Sequence, residues 1–391
     1  MNKEIKQSDA PAIRLVDAIL QKAIASHASD IHLESTAKGL RIRFRIDGML
    51  YDQETIEAVL MSHLLSRIKV LANINIAEKR VPQDGKFRTV ADGHDIDLRI
   101  STFPSIYGEK IVIRILDRSL NKITLDALGM YDSMLQQFKE LLMRPHGFFL
   151  VTGPTGSGKT TTLYAALSAL NAPEKNIITL EDPVEYSVDG ITQGHINPEA
   201  GFTFSKGIRS ILRQDPDILM VGEIRDKETA RTAIEAALTG HMVLSTLHTN
   251  DAPSAIMRLM DMGIEPFLIN AAVTGVLAQR LARKICVACR TAVRPDEQEQ
   301  QILQRVGLKV DQLYKGKGCD TCLNLGYKGR TGIFEFLTMT NALRALIVHR
   351  PQFDAIYAQA LQDGMPTMLH DGAQKVKDGI ITLEELIRVV V

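Results

Sequence analysis

Gly153-Pro154-Thr155-Gly156-Ser157-Gly158-Lys159-Thr160 has the glycine spacing and the Lys-Thr ending of a phosphate-binding loop. Glycines let backbone N–H groups turn inward around phosphate oxygens, Lys159 reaches the β and γ phosphates, and the Thr160 hydroxyl suits Mg²⁺. The apolar run Phe148-Phe149-Leu150-Val151 reads as a strand leading into the loop. Thr161-Thr162-Leu163-Tyr164-Ala165-Ala166-Leu167 then starts a helix whose N-terminus favours anions. Residues 153–161 are therefore the expected stretch for a nucleoside triphosphate such as ATP with its Mg²⁺.

Hydrolysis of a bound triphosphate needs acidic residues at a neighbouring strand end, to hold metal and orient water. Asp217-Ile218-Leu219-Met220-Val221-Gly222-Glu223 has that form, and Glu223 is the leading candidate for water activation or contact with metal-bound water. Arg225 and Asp226 follow as residues that orient it. A second acidic cluster, Glu181-Asp182-Pro183-Val184-Glu185, also ends an apolar run. Its carboxylates repel one another unless a cation is near, which favours a metal-facing site. Glu185 competes with Glu223 for the catalytic role, and the sequence does not rank the two. His241 and His248 bracket the run Met242 to Leu247; a single histidine in such an apolar setting is more often structural, whereas one near a γ-phosphate acts as a sensor by donating a hydrogen bond that ATP accepts and ADP does not. Arg99 and Arg114 lie on strand-like segments, opposite their buried Ile and Leu neighbours, where they could swing onto a γ-phosphate. Arg80 is a weaker candidate of the same kind.

Cys286-Val287-Ala288-Cys289 and Cys319-Asp320-Thr321-Cys322 are two C-x-x-C knuckles about 29 residues apart. Each presents two thiolates, and four thiolates around one tetrahedral Zn²⁺ make a closed, structural site.

The elements that must carry these groups fall into two patterns. Helical spacing of Ile13, Val16, Ile19, Leu20, Ala23 and Ile24 predicts an amphipathic helix. Leu40 to Ile46 alternates strictly and turns at Asp47-Gly48; a helix is expected from Ile56 to Ala72. Strands follow at Lys86–Val90, Asp95–Ile100 and Lys110–Ile115, with a turn at Asp92-Gly93. This first part reads as an α+β module. From about Leu125 apolar strands at 148–152, 177–181, 218–222 and 242–246 alternate with helices, implying a parallel sheet covered on both faces. The stretch from Ile333 to Val391 reads as mostly helical.

At 391 residues, two or three domains are expected. The composition, 45% hydrophobic and 24% charged, is that of a globular chain. Lys+Arg and Asp+Glu balance at 46 each, which argues against bulk attraction to nucleic acid or anionic membrane. No apolar run approaches the roughly 20 residues of a membrane helix, and no signal-peptide core follows Met1, so a cytoplasmic location is expected.

Together these segments resemble the secretion ATPase family of type II secretion and type IV pilus assembly. The resemblance rests on Ala28-Ser29-Asp30-Ile31-His32-Leu33-Glu34, Arg80-Val81-Pro82-Gln83-Asp84-Gly85, the phosphate loop, Glu181 to Tyr186, Arg213-Gln214-Asp215-Pro216-Asp217, the Glu223 strand and the His248 strand. It implies a PAS-like domain over 1–118 and a RecA-like ATPase core over 119–282. A four-cysteine zinc subdomain over 283–330 and a helical C-terminal part over 331–391 complete the expected fold. By resemblance Glu185 lies in the family's aspartate box, His248 in its histidine box, and Arg99 and Arg114 sit where its inter-domain arginines do. The family works as a ring of six on the cytoplasmic face of the inner membrane, where a platform protein couples it to polymerising pilin-like subunits. The paired knuckles resemble secretion and extension members more than pilus-retraction relatives. Ala12 to Glu34 corresponds to the second domain of many extension members, which implies a short form or a truncated chain. The rival readings are a retraction ATPase, a nucleic-acid translocase drawing on Arg41, Arg43 and Arg45, and a nucleotide-gated scaffold without turnover.

Overall fold

The structure is a computed structural model that describes residues 9–91, 94–117 and 123–391. The Asp92-Gly93 turn and the 118/119 boundary lie outside those residues. The chain forms two compact units, Met1–Asn121 and Lys122–Val391.

In the first unit, helix α1 (Asp9–Ala25) is followed by β1 (Ala28–Thr36), β2 (Gly39–Ile46), β3 (Met49–Ile56), α2 (Ala58–Leu71), β4 (Gln83–Ala91), β5 (His94–Ser105) and β6 (Gly108–Asp117). The strands make one antiparallel sheet in the order β3-β2-β1-β6-β5-β4. Period-two alternation buries Leu40, Ile42, Phe44 and Ile46. The arginines between them reach carboxylates: Arg41 to Asp52 at 2.6 Å, Arg43 to Glu34 at 2.8 Å and Arg45 to Asp30 at 3.8 Å. Ile56 ends β3 rather than opening the expected helix. Central strand β1, unassigned from sequence, alternates buried Ile31 and Leu33 with the polar His32 and Glu34.

The second unit begins with α3 (Asp132–Leu142), β7 (Gly147–Thr152), α4 (Lys159–Leu170), β8 (Ile177–Glu181), β9 (Thr192–His195), α5 (Phe204–Ile211), β10 (Ile218–Val221), α6 (Lys227–Leu238) and β11 (Met242–Leu247). It continues through α7 (Ala252–Asp261), α8 (Pro266–Ala272), β12 (Val273–Ile285), β13 (Arg290–Val293), α9 (Glu297–Arg305), β14 (Leu313–Gly316) and β15 (Tyr327–Thr338). Helices α10 (Asn341–Ile347), α11 (Phe353–Gln362), α12 (Met368–Lys377) and α13 (Leu383–Val390) close it. The main sheet runs β15-β12-β7-β11-β10-β8-β9, parallel except for β15. This is an α/β architecture with the expected parallel strands.

Every residue of β7 is buried because the sheet is covered on both sides. Phe148 and Leu150 enter one apolar cluster, Phe149 and Val151 the other. Two differences from the sequence reading matter for the site. Ile333 to Thr338, read as helical, completes the edge strand β15. Its partner β12 is not legible in the sequence, because α8 passes into it with no Gly or Pro between them: Val273 already has extended dihedrals, φ −68° and ψ 126°.

Candidate functional site

Parallel strands share one carboxyl-terminal edge, where open α/β sheets bind ligands. The phosphate loop follows β7 on that edge, the acidic loop follows β8, Glu223 follows β10 and His248 follows β11. The loop needs its glycines. Gly153 has φ 147° and Gly158 φ 89°, and a Cβ at Gly153 would lie 2.5 Å from both the Gln279 carbonyl oxygen and Ser157 Oγ. Pro154, Thr155, Gly156 and Thr160 are exposed, whereas Ser157 is buried and Thr161 half-buried. The Lys159 ammonium folds over its own loop, donating to the carbonyls of Gly153 at 2.9 Å and Pro154 at 3.1 Å. Burial lowers its pKa, Glu223 opposes that shift, and the nearby charge of Arg280 adds to it.

Glu223 pairs with Arg225, and its second oxygen lies 3.5 Å from His248 Nε2. The glutamate side chain is only 16% exposed while its partners are 64% and 49% exposed. A half-sheltered carboxylate thus lies between an arginine and a histidine that are both largely exposed. Arg225 is the ion-pair partner of Glu223. Asp226 instead caps α6, accepting the Thr229 N–H at 2.8 Å. His241 sits at the opposite end of β11, its Nδ1 2.9 Å from the Ala236 carbonyl oxygen.

The acidic cluster is split, with Glu181 facing inward and Asp182 and Glu185 exposed. Glu181 is buried and takes hydrogen bonds from Tyr164, from Thr179 at 2.6 Å and from Gln193 at 3.1 Å. These neutral donors satisfy it without a metal. Burial and Glu181 push the Tyr186 hydroxyl up to about 12 and raise the Tyr164 hydroxyl as well. Glu185 is exposed, and its backbone N–H points to Tyr164 Oη at 3.4 Å. Tyr164, on the helix that begins at Lys159, therefore anchors the Glu185 loop. Sequence reasoning counted it only as a helix former.

In the first unit, Arg99 and Arg114 face each other across β5 and β6, and Lys86 faces Arg99 from β4. Like charges in register are unfavourable unless an anion answers them. An open groove of about 620 Å³ lies over this row, lined by Asp84, Lys86, Arg99, Ser101 and Arg114. Arg114 Nε donates to Asp30 Oδ1 at 3.1 Å, which gives the Ala28–Glu34 motif a physical task. Arg80 is exposed and pairs with Glu78 at 3.0 Å.

All four cysteines converge. Their sulfurs lie within 4.8 Å of one another, with Cys286–Cys319 at 3.9 Å, Cys289–Cys322 at 3.8 Å and Cys319–Cys322 at 3.7 Å. A tetrahedron with metal–sulfur bonds of about 2.3 Å has edges of roughly 3.8 Å. A disulfide would need about 2 Å. Burial pushes the Cys322 thiol up, whereas backbone N–H groups of Cys319 and Gly326 and the neighbouring sulfurs bring it down; Cys289 beside it is raised.

The family described as type II/IV secretion system protein matches residues 5–388. The chain belongs to that family. The type II secretion system protein E of Dickeya dadantii is 52% identical over 98% of this chain and 76% of its own length. The type II secretion system ATPase E of Vibrio cholerae is 48% identical over 99% of this chain and 77% of its own. Among solved structures, the pilus retraction motor PilT with bound ADP matches with TM-score 0.62 at 27% identity, covering 95% of each chain. The protein is a P-loop ATPase, a motor of the type II secretion and type IV pilus assembly class. No helix among the described residues is long and apolar enough to cross a membrane.

Proposed function

We propose that this ATPase drives type II secretion as a ring of six on the cytoplasmic face of the inner membrane, polymerising pilin-like subunits through a membrane platform protein. The observation that carries the reading is the Glu223–His248 contact on the strand edge that holds Lys159, in a chain 52% identical to a type II secretion protein E. ATP occupies residues 153–161, with Mg²⁺ at Thr160. Glu223 aligns the attacking water, and its sheltered, doubly contacted carboxylate favours it over the exposed Glu185. His248 senses the γ-phosphate through the same carboxylate. Arg99 and Arg114 answer phosphoryl charge, a role supported by their facing register. The first unit is PAS-like and the second RecA-like. Zinc is the metal that fits four thiolates at these separations, and it closes the segment between β12 and β15.

The pairing of Arg41, Arg43 and Arg45 with carboxylates weighs against the translocase reading, since a nucleic acid would have to compete with those partners. Complementation tests the proposal. In a secretion-competent bacterium lacking its own protein E, the wild-type protein restores secretion and the Lys159→Ala form does not. Restored piliation without restored secretion would overturn the secretion reading.

A further inference from the structure

We propose that Gln279 and Arg280, neighbours on β12, are positioning residues for ATP hydrolysis: Gln279 sets the phosphate loop and Arg280 the loop that follows His248. The inference rests on the nucleotide site proposed above. Strand β12 runs parallel to β7, and the last pair in register is Ala278 with Thr152. One residue further lie Gln279, still on β12, and Gly153, the first residue beyond β7, where the ladder stops and the phosphate loop begins.

Gln279 is 1% exposed, and the two ends of its amide are spent on this loop and on the helix that follows it. Its Nε2 donates to the Ser157 carbonyl at 2.7 Å, and its Oε1 accepts from Thr162 Oγ1 at 2.8 Å. A trans peptide is planar, with C=O and N–H antiparallel. Holding the Ser157 carbonyl toward Gln279 therefore turns the Gly158 N–H away from it, and Thr162 fixes the first turn of α4 to the same amide. The missing side chain of Gly153 lets the loop lie directly on the Gln279 carbonyl. A buried amide costs free energy unless both its groups are bonded, so an apolar residue would fill this space more simply if packing were all that mattered.

Successive strand residues point to opposite faces, so Arg280 serves a different loop. Its Nη2 donates to the Asn250 carbonyl at 3.0 Å and to Asn250 Oδ1 at 3.2 Å, two residues beyond His248. Thr152 Oγ1 holds the same loop from β7, donating to the Leu247 carbonyl at 3.0 Å and accepting the Thr249 N–H at 2.9 Å. One dipeptide thus ties the triphosphate cradle and the histidine loop to a single rigid strand.

The test uses the full chain, a fluorescent ADP analogue for affinity, and steady-state ATP turnover. Gln279→Met, similar in volume and unable to make either bond, is expected to weaken nucleotide binding and raise KM about tenfold, with the melting temperature of the nucleotide-free protein little changed. Arg280→Ala is expected to lower kcat about tenfold with KM nearly kept, and Arg280→Lys, which retains a donor, to recover part of that loss. Thr162→Val, which removes one anchor of Gln279 and keeps the core filled, gives a smaller KM increase in the same direction. Affinity and kcat within twofold of wild type in Gln279→Met and Arg280→Ala would overturn the proposal. So would a uniform loss of melting temperature and activity without the split between KM and kcat, which would mark both residues as structural only. Retention of turnover in Lys159→Ala overturns the nucleotide site and this inference together, and so distinguishes the two failures.

Discussion

Strand β12 passes two centres of opposite construction. At Gln279 it touches a loop whose glycines adopt positive φ and whose neighbours Arg225 and His248 remain 64% and 49% exposed. Seven residues on, at Cys286, it enters a cluster in which four sulfurs already lie at metal-bridging separations. The first centre leaves its donors open for a ligand that arrives, reacts and departs. The second turns its four sulfurs toward one another, and the one tetrahedral ion we propose for it would leave no position for water. Openness belongs with chemistry, and closure with holding the chain.

The sharpest way to break this contrast is to remove one charge from the open site. Lys159→Ala should cut ATP turnover by at least about 10²-fold, because phosphoryl transfer depends on preorganised positive charge. Its melting temperature without nucleotide should stay close to wild type, since Lys159 bonds only its own loop carbonyls there. A coupled turnover assay beside calorimetry measures both; a variant that unfolds would erase the distinction between the centres.

At the closed centre the effects should reverse. Protein purified without chelators should carry about one zinc per chain, and Cys319→Ser with Cys322→Ser should carry none. Loss of metal should expose the segment between β12 and β15 to hydrogen exchange. Elemental analysis that finds no metal in the wild-type chain would remove the closed centre altogether.

A smaller effect is expected further along the same strand. Glu385, wholly buried, accepts from Arg283 at 2.6 Å and from Arg388 at 2.6 Å. Burial opposes its ionisation, but the two arginines hold its pKa at about 2, below its ordinary 4.5. A carboxylate with a depressed folded pKa adds stability above its unfolded value, and that stability is lost as pH falls toward the folded one. Glu385→Gln should therefore cost about 3 kcal/mol at pH 7, with the gap to wild type closing between pH 4.5 and 2. Urea unfolding at several pH values measures it; a gap that does not change with pH would contradict the assignment.

The parts of this arrangement legible in the sequence are those encoded locally. The phosphate loop, the apolar run ending at Glu223 and the two knuckles each fit within a few adjacent residues, so their chemistry can be read from spacing. The clamps cannot. Gln279 meets Ser157 across 122 positions and Arg283 meets Glu385 across 102, through a register that only the assembled sheet defines. The clustered carboxylates misled for the same reason: Glu181 faces inward because Tyr164, Thr179 and Gln193 happen to surround it in space. His241 and His248 look alike on either side of one strand, yet only one end of a parallel sheet faces the ligand.

The most direct test of the open centre is paired measurement of ATP affinity and single-turnover hydrolysis in Glu223→Gln and Glu185→Gln. If Glu223 aligns water, Glu223→Gln should bind ATP within about threefold of wild type and hydrolyse it at least about 10²-fold more slowly, whereas Glu185→Gln should retain most of its rate. Near wild-type hydrolysis by Glu223→Gln, with the loss falling on Glu185→Gln, would contradict it and move the catalytic carboxylate to the acidic loop.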